Sequence, residues 1–130
     1  IEGLGDILDV HHYPCPAMNI FERKLVNVLG EYGGIGLPVE GHTWIIDRKW
    51  GYGGNKKNSE EVMKQYEDFL DMLKVFVQTG CAGAVYTQTT DVEGEVNGLM
   101  TYDRAVIKVD MPRIAAGNKS VIDSMPAKGK

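Results

Sequence analysis

Hydrophobic positions along this chain fall into two periods. Leu25-Val26-Asn27-Val28-Leu29 is a short, nearly continuous apolar run that ends in Gly30-Glu31-Tyr32-Gly33-Gly34. It is too short for a helix and stops at turn residues, which predicts a buried strand of the parallel kind. Asp6 to Tyr13 reads as a second strand, halted by Pro14 and Pro16. Period two puts Leu8 and Val10 on one side, facing helices, and Ile7, Asp9, His11 and Tyr13 on the other. Cys81 to Gln88 predicts a third strand, with Ala82, Ala84, Tyr86 and Gln88 on one face. Between the second and third strands the period changes to that of a helix. Val62, Tyr66, Phe69, Leu70, Leu73, Phe76 and Val77 form one stripe. Asn58 or Ser59 is its N-cap, Glu60 and Glu61 suit the positive end of its dipole, and Gly80 closes it.

The connections complete the picture. Cys15 to Lys24 is a near-minimal crossover expected to hold one helical turn starting at Asn19. Gly33 to Asn58 is a long glycine-rich loop carrying His42, Trp44, Trp50 and Tyr52, and Thr89 to Asp103 is a second loop. Arg104 to Val109 is expected to open a last helix that Pro112 interrupts. The order of strands, loops and helices is βα repetition around a parallel sheet, an α/β fold. In such folds ligands bind at the carboxyl ends of the strands. On this reading the small residues Ala82 and Ala84, below the ring of Tyr86, suit the interior of a barrel, together with Ile7 and Leu29. The fold spans residues 1–118, and 119–130 is a polar tail.

Composition narrows the classes. One domain is expected from 130 residues with 43% hydrophobic content. A formal charge of −4 and the lack of a basic cluster disfavour nucleic acid as a partner. No apolar run is long enough to span a bilayer, so no membrane partner is expected. The two cysteines, Cys15 and Cys81, have no metal spacing and leave the compartment undecided. The start at Ile1 suggests a piece of a longer protein.

Several residue types invite chemistry. Glu31, where a buried strand meets a turn, is a candidate nucleophile or base; the alternative is a surface acid at a strand end. Asp9 and His11 either line a site wall or brace it. Trp44 and Trp50 either stack on sugar rings or anchor their loop. Asp91, Glu93 and Glu95 could hold a hard cation, but they lack the spacing of a calcium loop, and a solvated loop is the simpler reading. A metal-dependent hydrolase using His11, His12, Glu31 and Asp91 is disfavoured, because adjacent histidines on a strand point to opposite faces.

Tyr13 after His11-His12, Gly30-Glu31-Tyr32-Gly33, and Tyr86-Thr87-Gln88-Thr89-Thr90-Asp91 together resemble the C-terminal part of the catalytic barrel of glycoside hydrolase family 2. That family is the β-galactosidase, β-glucuronidase and β-mannosidase group. The resemblance runs from about Asp6 to Asp110. It implies a partial (β/α)8 barrel, strands six to eight with their helices, and retaining glycoside hydrolysis without a cofactor or metal. By this likeness Glu31 matches the nucleophile, and Tyr13 the tyrosine that orients it. Tyr86 takes the place usually held by a tryptophan under the sugar. His11, Asp91 and Trp44 are further expected substrate contacts.

The family's acid/base follows an Asn on the fourth strand, and no Asn-Glu pair occurs here. The chain would therefore carry half of a catalytic pair and be inactive alone. The alternative is a catalytically silent sugar-binding or interaction module. Without a basic cluster to clamp a uronate, a β-galactoside is the favoured substrate. A periplasmic or extracellular parent is compatible with these features. An unclosed sheet also implies pairing with a second copy through its open edges, or a tail folded over them.

Overall fold

The computed structural model describes residues 4–126. Its elements are β1 (Ile7–His11), β2 (Val26–Gly33), α1 (Ser59–Thr79), β3 (Cys81–Thr87) and α2 (Met111–Asp123). The three strands form one open, all-parallel sheet in the order β1-β2-β3. The α/β class and parallel sheet follow the sequence pattern.

The helix α1 is built as its sequence predicts. The Asn58 side chain accepts from the Glu61 backbone N–H, while the Glu61 carboxylate reaches back to the Lys57 N–H. Gly80 adopts a left-handed conformation, φ 116°, and its N–H closes the last turn on Phe76 and Val77. The stripe Val62, Tyr66, Phe69, Leu70 and Leu73 is buried with Met63 against Leu29, Tyr32 and Ile35. Burial of each large apolar side chain contributes about 1.5–3 kcal/mol. This packing covers one face of the sheet.

The connection from β1 to β2 differs from expectation. Among the described residues no helix forms there. Pro16 and Met18 are buried instead, and the Asn27 side chain satisfies the turn by bonding Glu22 N, Glu22 O and Leu25 O. Pro14 and Pro16 disfavour helix in the residues just before them, and the segment runs as irregular backbone from there to the Asn27 clasp.

The last helix is also corrected. Pro112 lies in the first turn of α2, where its missing N–H costs nothing, and Asp110 caps it by accepting from Arg113 N. Pro112 therefore begins the helix rather than interrupting it. Residues 119–123, expected as tail, are the end of α2. Residues 127–130 of that tail lie outside the described residues. The Arg113 guanidinium fixes α2 to α1, bonding both Glu67 oxygens at 2.9 Å and Glu60 at 2.7 Å.

Irregularities of register decide which side chains face which way. Val10 pairs with Leu29 but His11 pairs with Glu31, so Gly30 is an extra residue in β2. Leu29 therefore packs under α1 and Glu31 emerges on the opposite, open face. Gly30 has no side chain because the Asp9 carboxylate occupies the place where a Cβ would sit. Two further shifts lie between β2 and β3, where Asn27 pairs with Cys81 but Val28 with Gly83, and Leu29 pairs with Ala84 but Tyr32 with Tyr86. Ala82, Ala84 and Tyr86 line a groove with α1 and α2. They and Leu29 lie on the helix side, not on the face a barrel interior would use.

Candidate functional site

β1 and β2 deliver their carboxyl ends side by side, and that is where the candidate groups meet. The Tyr13 hydroxyl donates to Glu31 Oε2 at 2.6 Å. His11 stands between two carboxylates, with Nε2 3.0 Å from Asp9 Oδ2 and Nδ1 3.4 Å from Glu31 Oε2. Because a carboxylate only accepts, the contact with Asp9 assigns the proton to Nε2 in the neutral ring. Nδ1 then turns its lone pair toward Glu31, and becomes a donor only when the ring is protonated. All three polar side chains, Asp9, His11 and Glu31, are about half exposed and open to a ligand.

Aromatic rings extend the site away from Glu31. Tyr13 stacks face to face on Tyr52, with centroids 3.9 Å apart, and Trp50 meets Tyr52 edge-on at 5.2 Å. Burial, and then the hydrogen bond to Glu31, push the Tyr13 phenol up to about 12, so at neutral pH it stays protonated and donates. Trp50, weighed from the sequence as a stacking ring or a loop anchor, and Tyr52, which carried no expected role, are brought into line with Tyr13. Their signal was present, as aromatics in a long loop, but periodicity gives no register to a loop.

The loop is held in shape by backbone bonds. Tyr52 N donates to Gly34 O at 2.8 Å and Lys56 N to Gly36 O at 2.7 Å. Gly51 and Gly36 approach so closely that a Cβ on Gly51 would strike the Gly36 backbone. Leu37 N donates to Val96 O and Trp50 N to Gly94 O, so the loops after β2 and β3 are fastened together.

Other expected site residues are placed elsewhere. Tyr86 is on the helix side; its hydroxyl accepts from Ile35 N at 3.2 Å, and its ring meets Tyr32 and Tyr66. Asp91 is buried, and its Oδ1 accepts from Lys108 Nζ at 2.6 Å and from Gly98 N at 2.8 Å. That pair pins the second loop. Trp44 packs on Tyr102 rather than in the Tyr13–Tyr52–Trp50 series. His12 bonds the Cys15 carbonyl. His11, His12, Glu31 and Asp91 are thus not gathered at one point. Glu95, also weighed as a cation ligand, instead receives hydrogen bonds from Gln88 and Asn97.

No protein-family model and no curated protein matches the chain.

Proposed function

We propose that this chain is the nucleophile-bearing, C-terminal part of the catalytic barrel of a retaining glycosidase, resembling glycoside hydrolase family 2. The single observation that carries the reading is the 2.6 Å bond from Tyr13 to Glu31 at the carboxyl end of the central parallel strand. The resemblance expects a tyrosine beside the nucleophile. The face bearing Glu31 is the one opposite α1, where a closed barrel would have its interior.

In a retaining reaction the nucleophile must be ionised and aimed at the anomeric carbon. Tyr13 and His11 both approach Oε2, so Glu31 Oε1 remains to attack. The bond from Oε1 to the anomeric carbon forms as the glycosidic bond breaks. A second carboxyl group, about 5–5.5 Å from the first, protonates the departing oxygen and later deprotonates the water that releases the sugar. By the resemblance that group belongs to an upstream strand, and the chain alone does not turn over glycosides. Trp50 and Tyr52 offer apolar rings to the sugar face, and a β-galactoside is the favoured substrate.

The test is covalent trapping in the full-length parent with a slow 2-fluoro-β-galactoside, followed by peptide mass spectrometry. The label is expected on the peptide holding Glu31 and should disappear in Glu31→Gln. A label on any other carboxylate overturns the assignment.

A second reading, a catalytically silent sugar-binding module, draws on the exposed Trp50 ring beside the site. It is separated by complementation: turnover that appears only when the upstream portion is added, and fails with Glu31→Gln, favours the enzyme.

A further inference from the structure

Away from Glu31, the two rim loops meet a second time. His42 Nδ1 lies 2.7 Å from Asp103 Oδ2. Two residues after His42 and one before Asp103, the rings of Trp44 and Tyr102 sit 5.8 Å apart at 38°. Asp103 is held by three groups, since Oδ1 also accepts from the Thr101 hydroxyl at 2.6 Å and from Ala105 N at 3.1 Å. A carboxylate so bonded only accepts, which in the neutral ring puts the His42 proton on Nδ1 and leaves Nε2 as the acceptor.

The aromatic pair is unusual for an anchor. Trp44 is 58% exposed and Tyr102 41% exposed, so neither ring is used mainly for core packing. A single exposed ring is ordinary on a protein surface; two tilted together beside an oriented imidazole are a feature built for contact. A pyranose presents an apolar C–H face and a rim of hydroxyls. That is the complement of a tryptophan face flanked by a hydrogen-bond acceptor. The loops leave the carboxyl ends of β2 and β3, the same rim of the sheet as Glu31.

We propose that His42, Trp44, Tyr102 and Asp103 form a carbohydrate subsite for a pyranose ring beyond the one attacked at Glu31. The ring lies on Trp44 with Tyr102 at its edge, and one sugar hydroxyl donates to His42 Nε2. Asp103 is a positioning residue that sets the imidazole. The assignment of the ring as part of a β-glycoside rests on the proposed function; sugar binding at the cluster does not.

The experiment is a titration of the ¹⁵N-labelled chain with lactose, following the indole N–H resonances of Trp44 and Trp50. A saturable shift of the Trp44 signal is expected. It should weaken about tenfold or more in His42→Ala and in Tyr102→Ala, and remain in Glu31→Gln. Tyr102→Phe should retain it, and urea midpoints near that of the parent chain show that each variant is folded. A Trp44 signal unmoved by lactose, or one that drifts linearly and equally in His42→Ala, overturns the subsite. If the fluorosugar fails to label Glu31 while the saturable Trp44 shift persists, the nucleophile assignment falls and the subsite stands.

Discussion

The Tyr13 hydroxyl, just past the end of β1, and the Glu31 carboxylate, on β2, share a 2.6 Å hydrogen bond. Its strength comes from a charged acceptor in a partly buried place. The phenol reports on it directly. Burial is the larger cause of its rise to about 12 and the Glu31 bond the next, so Glu31→Gln should lower the Tyr13 titration without returning it to 10.0. Tyrosine-selective ¹³C NMR across alkaline pH measures this. The folded phenol holds its proton where an unfolded one has lost it, so its contribution to stability is full below about pH 10 and lost toward pH 12. Tyr32, Tyr66 and Tyr86 are displaced upward by burial as well, so stability should decline as pH rises past 10. An unfolding midpoint that holds steady through that window refutes the account.

The buried Asp91–Lys108 pair predicts the largest loss of stability from one polar substitution. Both side chains are almost wholly enclosed, and Lys108 Nζ also donates to Val96 O at 3.0 Å. Asp91 Oδ2 is buried without a partner, so Lys108 is the main source of compensation. Lys108→Met should cost about 3–5 kcal/mol, the usual penalty for stranding a buried charge. Asp91→Asn combined with Lys108→Met should recover part of it. Urea unfolding measures both, and a single variant as stable as the parent chain shows that water reaches Asp91 readily.

How far these features could be read in advance depended on whether local patterning fixed them. The α1 caps were legible because Asn58, Glu61 and Gly80 act on backbone groups within one turn. The outward row Asp9 and His11 was legible from alternation, since β1 is regular up to His11. Alternation failed at Leu29 and Glu31. Strict period two puts them on one face, and the extra residue at Gly30 separates them. Nothing in the residues before a glycine distinguishes a bulge from a regular pair; only the neighbouring Asp9 carboxylate shows why it is there. On the next strand Ala82, Ala84 and Tyr86 line one groove together, as alternation has it, but alternation could not say that their shared face is the one turned to the helices. Trp44 lay in a loop with no period, so its partner Tyr102, far along the chain, could not be inferred.

Asp103 predicts an acid-side effect. Its carboxyl is held down to about 2, chiefly by the Thr101 hydroxyl and next by His42. A depressed carboxyl contributes stability above its ordinary 3.8 that is lost as pH falls toward 2. Thr101→Val should raise the Asp103 titration more than His42→Phe does, and narrow that acid window. Solvent access keeps the effect on global stability small. Carboxyl ¹³C NMR reads the order of the two variants, and the reverse order would show that the imidazole, not the hydroxyl, governs Asp103.

The last prediction concerns the open face of the sheet. Among the described residues β1 and β3 are both edge strands, since only β2 is paired on its two sides. An edge presents unpaired backbone groups that readily pair with another chain. The face opposite α1 adds exposed apolar side chains, Ile7 with its register partner Val26, and Val85 beyond them. Removing such surface from water is favourable by about 25 cal/mol per Å². The 130-residue chain should therefore self-associate as its concentration rises, with two-fold pairing the simplest closed form. Val85→Lys and Ile7→Lys place charges on that face and should each shift the equilibrium toward monomer, while Ile122→Lys, on the exposed side of α2, should not. Sedimentation velocity over a concentration series distinguishes the cases. A monomer at every concentration would mean that the edges are covered within one chain, and association abolished only by Ile122→Lys would move the interface to the helices. On the proposed function, upstream strands supplied in trans should compete with the self-pairing for the same edges. Loss of the dimer on complementation, together with gain of turnover, would then be one event seen by two measurements.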